Sequence, residues 1–506
     1  MASPQPIRFL CNGEPVAVDD ASPHATLLEW LRGPRGLVGT KEGCAEGDCG
    51  ACTVVLAEAV PGREGLAWTP VNACIRLLPS VHGKAVFTVE SLRAPDGTPH
   101  PVQAALVAAH GSQCGFCTPG FAMSLFGLYK NARAPSRAAA VDALSGNLCR
   151  CTGYVPILAA AAAMHDGAAC GEADGWRGPG VAPDGSRIVS REEEMLAAQL
   201  AALQEDGTFA YEARGRRWWA PRDGDAFAAL RLAHPDARIV AGATDVGLWI
   251  TKQHRDIGNV LYAGDVADLR TVAQDDTHFG IGAAAPLAAA FAALAEEWPE
   301  LDEAWSRFAS LPIRNSGTLG GNVANGSPIG DSMPVLIALG ATVVLRHGGA
   351  VRELPLEAFY QGYQKTVLAR GEFVAAVRVP RRRPGTIVRA YKQSKRFDQD
   401  ISCVFACFAL DLAAGTVADV RIGCGGVAPT PMRALATEAA LRGAAWTAAT
   451  AAAAARVLAD EFTPIDDMRA SARYRRTVLG NLLVRCHLET TAPGVVTRVD
   501  ALAADA

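Results

Sequence analysis

The chain has 506 residues, half of them hydrophobic, and a formal net charge of −4. That length exceeds a single core and suggests about three or four domains, with ample apolar content to bury in each. So weak a charge over such a length excludes the basic footprint of a nucleic-acid-binding protein. The opening Met1-Ala-Ser-Pro-Gln-Pro6 lacks a basic segment followed by an apolar core, so no secretory signal is expected, and the fourteen cysteines are not expected to form disulfides. The most apolar run, residues 154–164, is mostly alanine and falls well short of the roughly 20 residues needed to span a bilayer. The expectation is a cytoplasmic protein with no membrane segment.

Residues 7–18 read as a β-hairpin, two apolar runs about the turn Asn12-Gly13. Thr26 can cap a helix over 27–31 that Gly33-Pro34 ends, and strands follow at 53–56 and 86–89, which together suggest a small β-grasp domain closing near Arg93. Between helix and strand lies Lys41-Glu-Gly-Cys44-Ala-Glu-Gly-Asp-Cys49-Gly-Ala-Cys52, with a further cysteine at Cys74. This C-x4-C-x2-C spacing is the one by which plant-type ferredoxins hold a [2Fe-2S] cluster. Gly43, Gly47 and Gly50 are expected to adopt positive φ and so turn backbone N–H groups toward the sulfurs. The alternative, a structural zinc site, would favour C-x2-C pairs around one tetrahedral ion.

A second constellation follows in Gln113-Cys114-Gly-Phe-Cys117-Thr-Pro-Gly120 and Ser145-Gly-Asn-Leu-Cys149-Arg-Cys151-Thr-Gly-Tyr154. Each cysteine pair precedes an alanine-rich segment of helical character, residues 121–130 and 155–164, so both pairs are expected at helix N-termini, where the dipole stabilises thiolates. Two such pairs can bind the two irons of another [2Fe-2S] centre. In this order, and with the phrases CGFCTPG and LCRCTGY, the first 165 residues or so resemble the iron–sulfur half of the xanthine dehydrogenase family of molybdenum hydroxylases. The resemblance implies a four-helix second domain around the second cluster. It also implies that Gln113 contacts a molybdopterin cofactor held by a partner.

From residue 170 to 190 the chain is rich in glycine, proline and aspartate with no hydrophobic period, which reads as an exposed linker. A short helix is expected over 191–203, and Trp218-Trp219-Ala-Pro221 opens the next domain. Two glycine-bearing turns are expected to follow apolar strands, one at Ala241, Gly242, Ala243, Thr244, Asp245 and Val246, the other at Ser316, Gly317, Thr318, Leu319, Gly320, Gly321 and Asn322. Neither is a G-x-G-x-x-G Rossmann turn, but successive N–H groups in such loops form nests suited to a pyrophosphate. As a pair they resemble the flavin domain of xanthine dehydrogenases and related vanillyl-alcohol-oxidase-type flavoproteins, which implies that FAD is held by these two loops. By the same resemblance Asp331 contacts the ribityl or phosphate region, Lys392 lies near the flavin ring and Phe308 covers it. Tyr363, and Asp398 and Asp400 within the charged loop 396–400, lie on the NAD side. From about residue 386, strands followed by alanine-rich helices suggest an α+β C-terminal domain, with the glycines at 423–426 read as a turn. Cys11, Cys170, Cys403, Cys407, Cys424 and Cys486 have no ligand spacing.

The expected fold is therefore α+β multidomain: a β-grasp ferredoxin domain at 1–93, a helical [2Fe-2S] domain at 94–168, a linker at 169–210, an FAD-binding domain at 211–383 and a C-terminal flavoprotein domain at 384–506. Nothing resembling the family's molybdenum-binding part is present, so the resemblance implies an electron-transfer subunit that pairs with a large molybdopterin-binding subunit as a heterotetramer. Electrons from purine hydroxylation on that partner would pass through two [2Fe-2S] clusters to FAD and then NAD, and no catalytic residue for the hydroxylation is expected here. The alternatives are a stand-alone iron–sulfur flavoprotein reductase and a related aldehyde or heterocycle dehydrogenase.

Overall fold

The computed structural model describes residues 3–60, 62–166, 172–204, 207–492 and 494–497. The chain divides into two compact units. The first comprises Met1–Asp268, Pro286–Ala288 and Ala309–Thr318, the second Leu269–Ala285, Ala289–Phe308 and Leu319–Ala506.

In the first unit, Ile7–Cys11 and Glu14–Val18 form the expected hairpin, with Asn12 and Gly13 both at positive φ, 55° and 88°. Two consecutive residues in this region make the turn whose twist matches its strands. The sheet order is Glu14–Val18, Ile7–Cys11, Ala85–Phe87, Thr53–Ala59, Leu66–Asn72, with Ile7–Cys11 parallel to Ala85–Phe87. Helix Leu27–Arg32 starts in a reciprocal cap between Thr26 and Glu29 and buries Leu27, Leu28, Trp30 and Leu31. Such a cap contributes about 1 kcal/mol. Four helices follow, Pro101–Ala108, Thr118–Asn131, Arg137–Leu144 and Val155–Ala163.

The stretch expected as an exposed linker is partly buried. Trp176 is 2 % exposed, 4.3 Å from the Phe87 ring and stacked 6.1 Å from Trp68. Helix Arg191–Leu203 places Glu193 at 0 % exposure, where it accepts hydrogen bonds from Leu66 N and Trp68 Nε1 and pairs with Lys130 at 3.2 Å. Local glycine and proline content predicts an open backbone, but apolar burial against the β-grasp sheet overrides it. A second sheet, in the order Phe209–Ala213, Arg216–Ala220, Val260–Tyr262, Arg238–Val240, shares its core with the β-grasp domain through Phe209, Trp218 and Tyr262.

The second unit has a five-stranded antiparallel sheet, Val272–Gln274, His278–Gly282, Phe373–Pro380, Thr342–His347, Ala350–Pro355. It also has a four-stranded sheet built on Ile387–Gln393, Val404–Ala413 and Thr416–Gly425. Helices Ala448–Glu461 and Ala472–Thr491 share a core with this second sheet, giving the α+β arrangement expected from residue 386 onward. Gly423 and Gly425 end a strand rather than forming a turn: a Cβ on Gly423 would lie 1.9 Å from the Pro334 carbonyl oxygen, so glycine is what lets helix Ser332–Ala338 approach. Among the described residues no helix is long and apolar enough to cross a membrane.

Candidate functional site

The loop after helix Leu27–Arg32 gathers Cys44, Cys49 and Cys52, and Cys74 joins them just beyond strand Leu66–Asn72. The Cys44 thiol is hydrogen-bonded to those of Cys49 and Cys74, and Cys52 to Cys74. Asp48 N and Cys49 N each donate to Cys44 Sγ at 3.3 Å, an orientation that favours a thiolate. Hydrogen bonds from the Cys49 and Cys74 thiols, helped by Cys49 N, hold Cys44 far below the usual thiol range, while the same shared protons push Cys49 and Cys74 up. All four can ionise together only against a positive centre, which is what iron supplies. Gly47 and Gly50 take positive φ, 81° and 69°, as expected. Gly43 does not; a Cβ there would lie 2.8 Å from Cys49 Sγ, so it is needed for space, and Ala45 at φ 55° makes the left-handed bend.

The second set forms two thiol contacts, Cys117 with Cys149 and Cys114 with Cys151. Burial and the Cys149 contact push the Cys117 thiol up to about 12. Two contacts of two thiols suit two irons better than one tetrahedral ion. Cys117 is the N-cap of Thr118–Asn131, as expected, but Cys149 and Cys151 precede Val155–Ala163 by a turn closed by Tyr154 in the left-handed region, whose hydroxyl accepts from Cys149 N at 3.0 Å. Gln113 is exposed beside Cys114.

The two cysteine loops touch. A Cβ on Gly50 would lie 2.1 Å from the Gly146 carbonyl oxygen, and one on Gly120 would lie 2.1 Å from that of Gly50. Leu148 N donates to the Cys49 carbonyl at 3.0 Å. Helix Leu311–Ser316 packs beside both loops: Gly47 has no room for a Cβ next to Ile313, nor Gly146 next to Pro312, and Arg314 pairs with Asp142. Sequence reasoning missed this helix and Asn147. The visible signal for Asn147 was its place between Gly146 and Leu148 inside a ligand phrase.

The expected flavin residues fall in both units. In the first, strand Arg238–Val240 runs into the tight turn, with Ala243 at φ 58°, before helix Val246–Thr251. Among the described residues the N–H groups of Gly242, Ala243, Thr244 and Asp245 donate to no protein acceptor, an open row that fits a pyrophosphate. Gly242 is required by the chain itself, since its Cβ would lie 1.8 Å from the Ser316 carbonyl oxygen.

The second glycine phrase follows no strand. Ser316 ends helix Leu311–Ser316, and residues from Leu319 onward form helix Leu319–Asn325. Gly317 N donates to Ile313 O within the first unit; in the second, Leu319 N and Gly320 N donate to Ala285 O and Ala283 O. These three N–H groups serve the fold rather than a ligand. Asp331 is 3 % exposed, and its carboxylate accepts from Lys392 Nζ at 2.9 Å and Ser402 Oγ at 2.6 Å. Lys392 Nζ also donates to Arg307 O at 2.9 Å, so Asp331 acts on Lys392 before it can act on any ligand. Phe308 lies edge-on to Phe291, with centroids 5.3 Å apart. Of the NAD-side residues, Tyr363 is 60 % exposed, Asp398 is exposed, and Asp400 accepts from Arg396 N at 2.8 Å. Cys11, Cys403, Cys407, Cys424 and Cys486 are buried, and Cys170 lies outside the described residues.

Residues 9–76 match the family described as 2Fe-2S iron-sulfur cluster binding domain and 88–162 the [2Fe-2S] binding domain. Residues 210–382 match the FAD binding domain in molybdopterin dehydrogenase, and 389–490 the CO dehydrogenase flavoprotein C-terminal domain. The chain carries the iron–sulfur and flavin domains of the molybdenum hydroxylase family. Xanthine dehydrogenase of Emericella nidulans is 36% identical over 481 residues, 87% of this chain and 35% of that protein. Aldehyde oxidase 2 of Cavia porcellus is 32% identical over 95% of this chain and 39% of that protein. The chain thus spans little more than a third of the length of the curated relatives it matches. A solved carbon monoxide dehydrogenase from Hydrogenophaga pseudoflava, which lacks the Mo-pyranopterin moiety of the molybdenum cofactor, superposes with a TM-score of 0.51 and 28% identity over 53% of this chain and 94% of that one. The fold of this chain is a ferredoxin domain, a helical [2Fe-2S] domain, an FAD-binding domain and a C-terminal domain, the set that in this family serves electron transfer through [2Fe-2S] clusters to FAD.

Proposed function

We propose that this chain carries electrons for a xanthine dehydrogenase: from a molybdopterin centre on a large partner subunit, through two [2Fe-2S] clusters, to FAD and then to NAD, during hydroxylation of hypoxanthine or xanthine. The observation that carries this reading is the contact between the two thiol loops, in the same unit as the open N–H row at 242–245. When bound, the clusters pass single electrons and the flavin pairs them for hydride transfer. Cys44, Cys49, Cys52 and Cys74 would hold one cluster, and Cys114, Cys117, Cys149 and Cys151 the other. Gly242 to Asp245 would bind the pyrophosphate through backbone donors, Lys392, paired with Asp331, would lie near the ring, and exposed Tyr363 and Asp398 would meet NAD. Gln113, exposed beside the second set, would reach toward the partner's cofactor. A heterotetramer of two copies of each subunit in the cytoplasm is part of this proposal.

A second reading, aldehyde rather than purine as substrate, is favoured by the likeness to Aldehyde oxidase 2. The native complex, purified with its partner, separates the two. About four irons and four labile sulfides per chain, one FAD, and xanthine-dependent NAD reduction are expected. Turnover of aldehydes but not xanthine would give the second reading. Full activity in a preparation free of molybdenum would leave a stand-alone reductase, and stoichiometric zinc without labile sulfide would overturn both readings.

A further inference from the structure

Asn147 is neither a thiol nor a surface residue. It is 3 % exposed, and its Oδ1 accepts from Ser124 Oγ at 2.6 Å. Ser124, itself at 0 % exposure, thereby fixes which end of the amide faces the first cysteine loop. The other end, Nδ2, donates to the Gly50 carbonyl at 3.1 Å and lies 3.4 Å from Thr53 Oγ1. One residue further on, Leu148 N donates to the Cys49 carbonyl at 3.0 Å. The carbonyls of Cys49 and Gly50 are therefore both held by the segment that leads into Cys149, and the glycines at 50 and 120 leave out the Cβ atoms that would press on the Gly146 and Gly50 carbonyls.

We propose that Asn147 is a positioning residue that sets the electronic coupling between the two iron–sulfur sites. Its amide holds the Gly50 carbonyl and so keeps the adjoining Cys49 carbonyl where Leu148 N–H can donate to it, a hydrogen bond that joins the backbone of a ligand of one cluster to the residue preceding Cys149. The step it serves moves one electron from the reduced site to the oxidised one, with no bond made or broken and no proton transferred. This rests on the reading of both cysteine sets as [2Fe-2S] ligands.

The test uses the full chain with its clusters, in wild type, Asn147→Ala, Asn147→Asp and Ser124→Ala. Iron and labile sulfide are counted first; if the wild type lacks them, the cluster reading fails and this inference with it. In the dithionite-reduced protein the magnetic splitting between the two paramagnetic centres is then read by electron paramagnetic resonance. Asn147→Ala should keep both signals but narrow the splitting, and amide exchange in a peptide covering Leu148 should quicken about fivefold to tenfold as the buried bonds are lost. Asn147→Asp should be no better, because a carboxylate accepts from Ser124 but repels the Gly50 carbonyl. Ser124→Ala, which frees the amide to turn without emptying its place, should give a smaller change in the same direction. Should Asn147→Ala lose iron, Ser124→Ala carries the test alone. Unchanged splitting and exchange in a variant with full iron would overturn the proposal.

Discussion

Two buried imidazoles show how single residues make the first unit acid-sensitive. His82 accepts from Arg8 N at Nδ1, 3.1 Å, and His100 accepts from Val102 N at Nδ1, 3.2 Å, while capping helix Pro101–Ala108. His100 Nε2 faces the Arg177 carbonyl at 2.9 Å, so the neutral ring donates there and accepts at Nδ1. Burial is the main reason both are held down to about 4, helped by Arg222 near His82 and opposed near His100 by the Arg177 carbonyl. A histidine whose folded value lies below its unfolded value of about 6.5 binds protons more readily when unfolded. Its contribution to stability is therefore complete above about pH 6.5 and declines as pH falls toward 4, by up to about 1.4 kcal/mol per pH unit for each ring. The urea midpoint of the first unit should fall across this window, and His100→Asn, which keeps a capping acceptor, should remove part of the slope.

At the scale of elements, the strap from Trp176 to helix Arg191–Leu203 is a wall of the cluster-bearing core. Glu193→Gln would leave the Lys130 ammonium, already pushed down by burial, without its carboxylate, and should cost about 3–5 kcal/mol of stability. Trp176→Ala should cost a similar amount through the cavity it opens, both read as shifts of the denaturant midpoint. Gly320→Val is expected to unfold the second unit locally rather than merely evict a ligand, because its Cβ would lie 2.4 Å from Ala283 Cα. Loss of flavin with an unchanged melting temperature in that variant would contradict this. The hairpin at Asn12-Gly13 and the helix opened by Thr26 and Glu29 were legible because their signals are local. The burial of Trp176 was not, since an aperiodic segment becomes core only through rings far away in sequence. Nor was helix Leu319–Asn325, whose paired glycines read as a loop and whose helical form is supported by the Ala283 and Ala285 carbonyls. That each cysteine set would gather was legible from its spacing, but the contact between the two loops was not, because glycine spacing does not say which backbone will fill the space.

For the whole molecule, the proposed order of electron flow is tested at the second cysteine set. Cys149→Ser should abolish one iron–sulfur signal and interrupt reduction by substrate through the partner, yet leave NADH able to reduce the flavin. Loss of NADH-driven flavin reduction would mean that the order is wrong. The meeting of Gly50, Gly120 and Gly146 also bears on how such a protein can be built or rebuilt. Backbones that close on one another with no side chain between them cannot be exchanged one at a time: a plant-type ferredoxin grafted in place of the first ninety or so residues would have to bring a loop already shaped to the helical domain. The two electron carriers are in this sense one inseparable part, and variants that tune one potential should be sought away from this crossing.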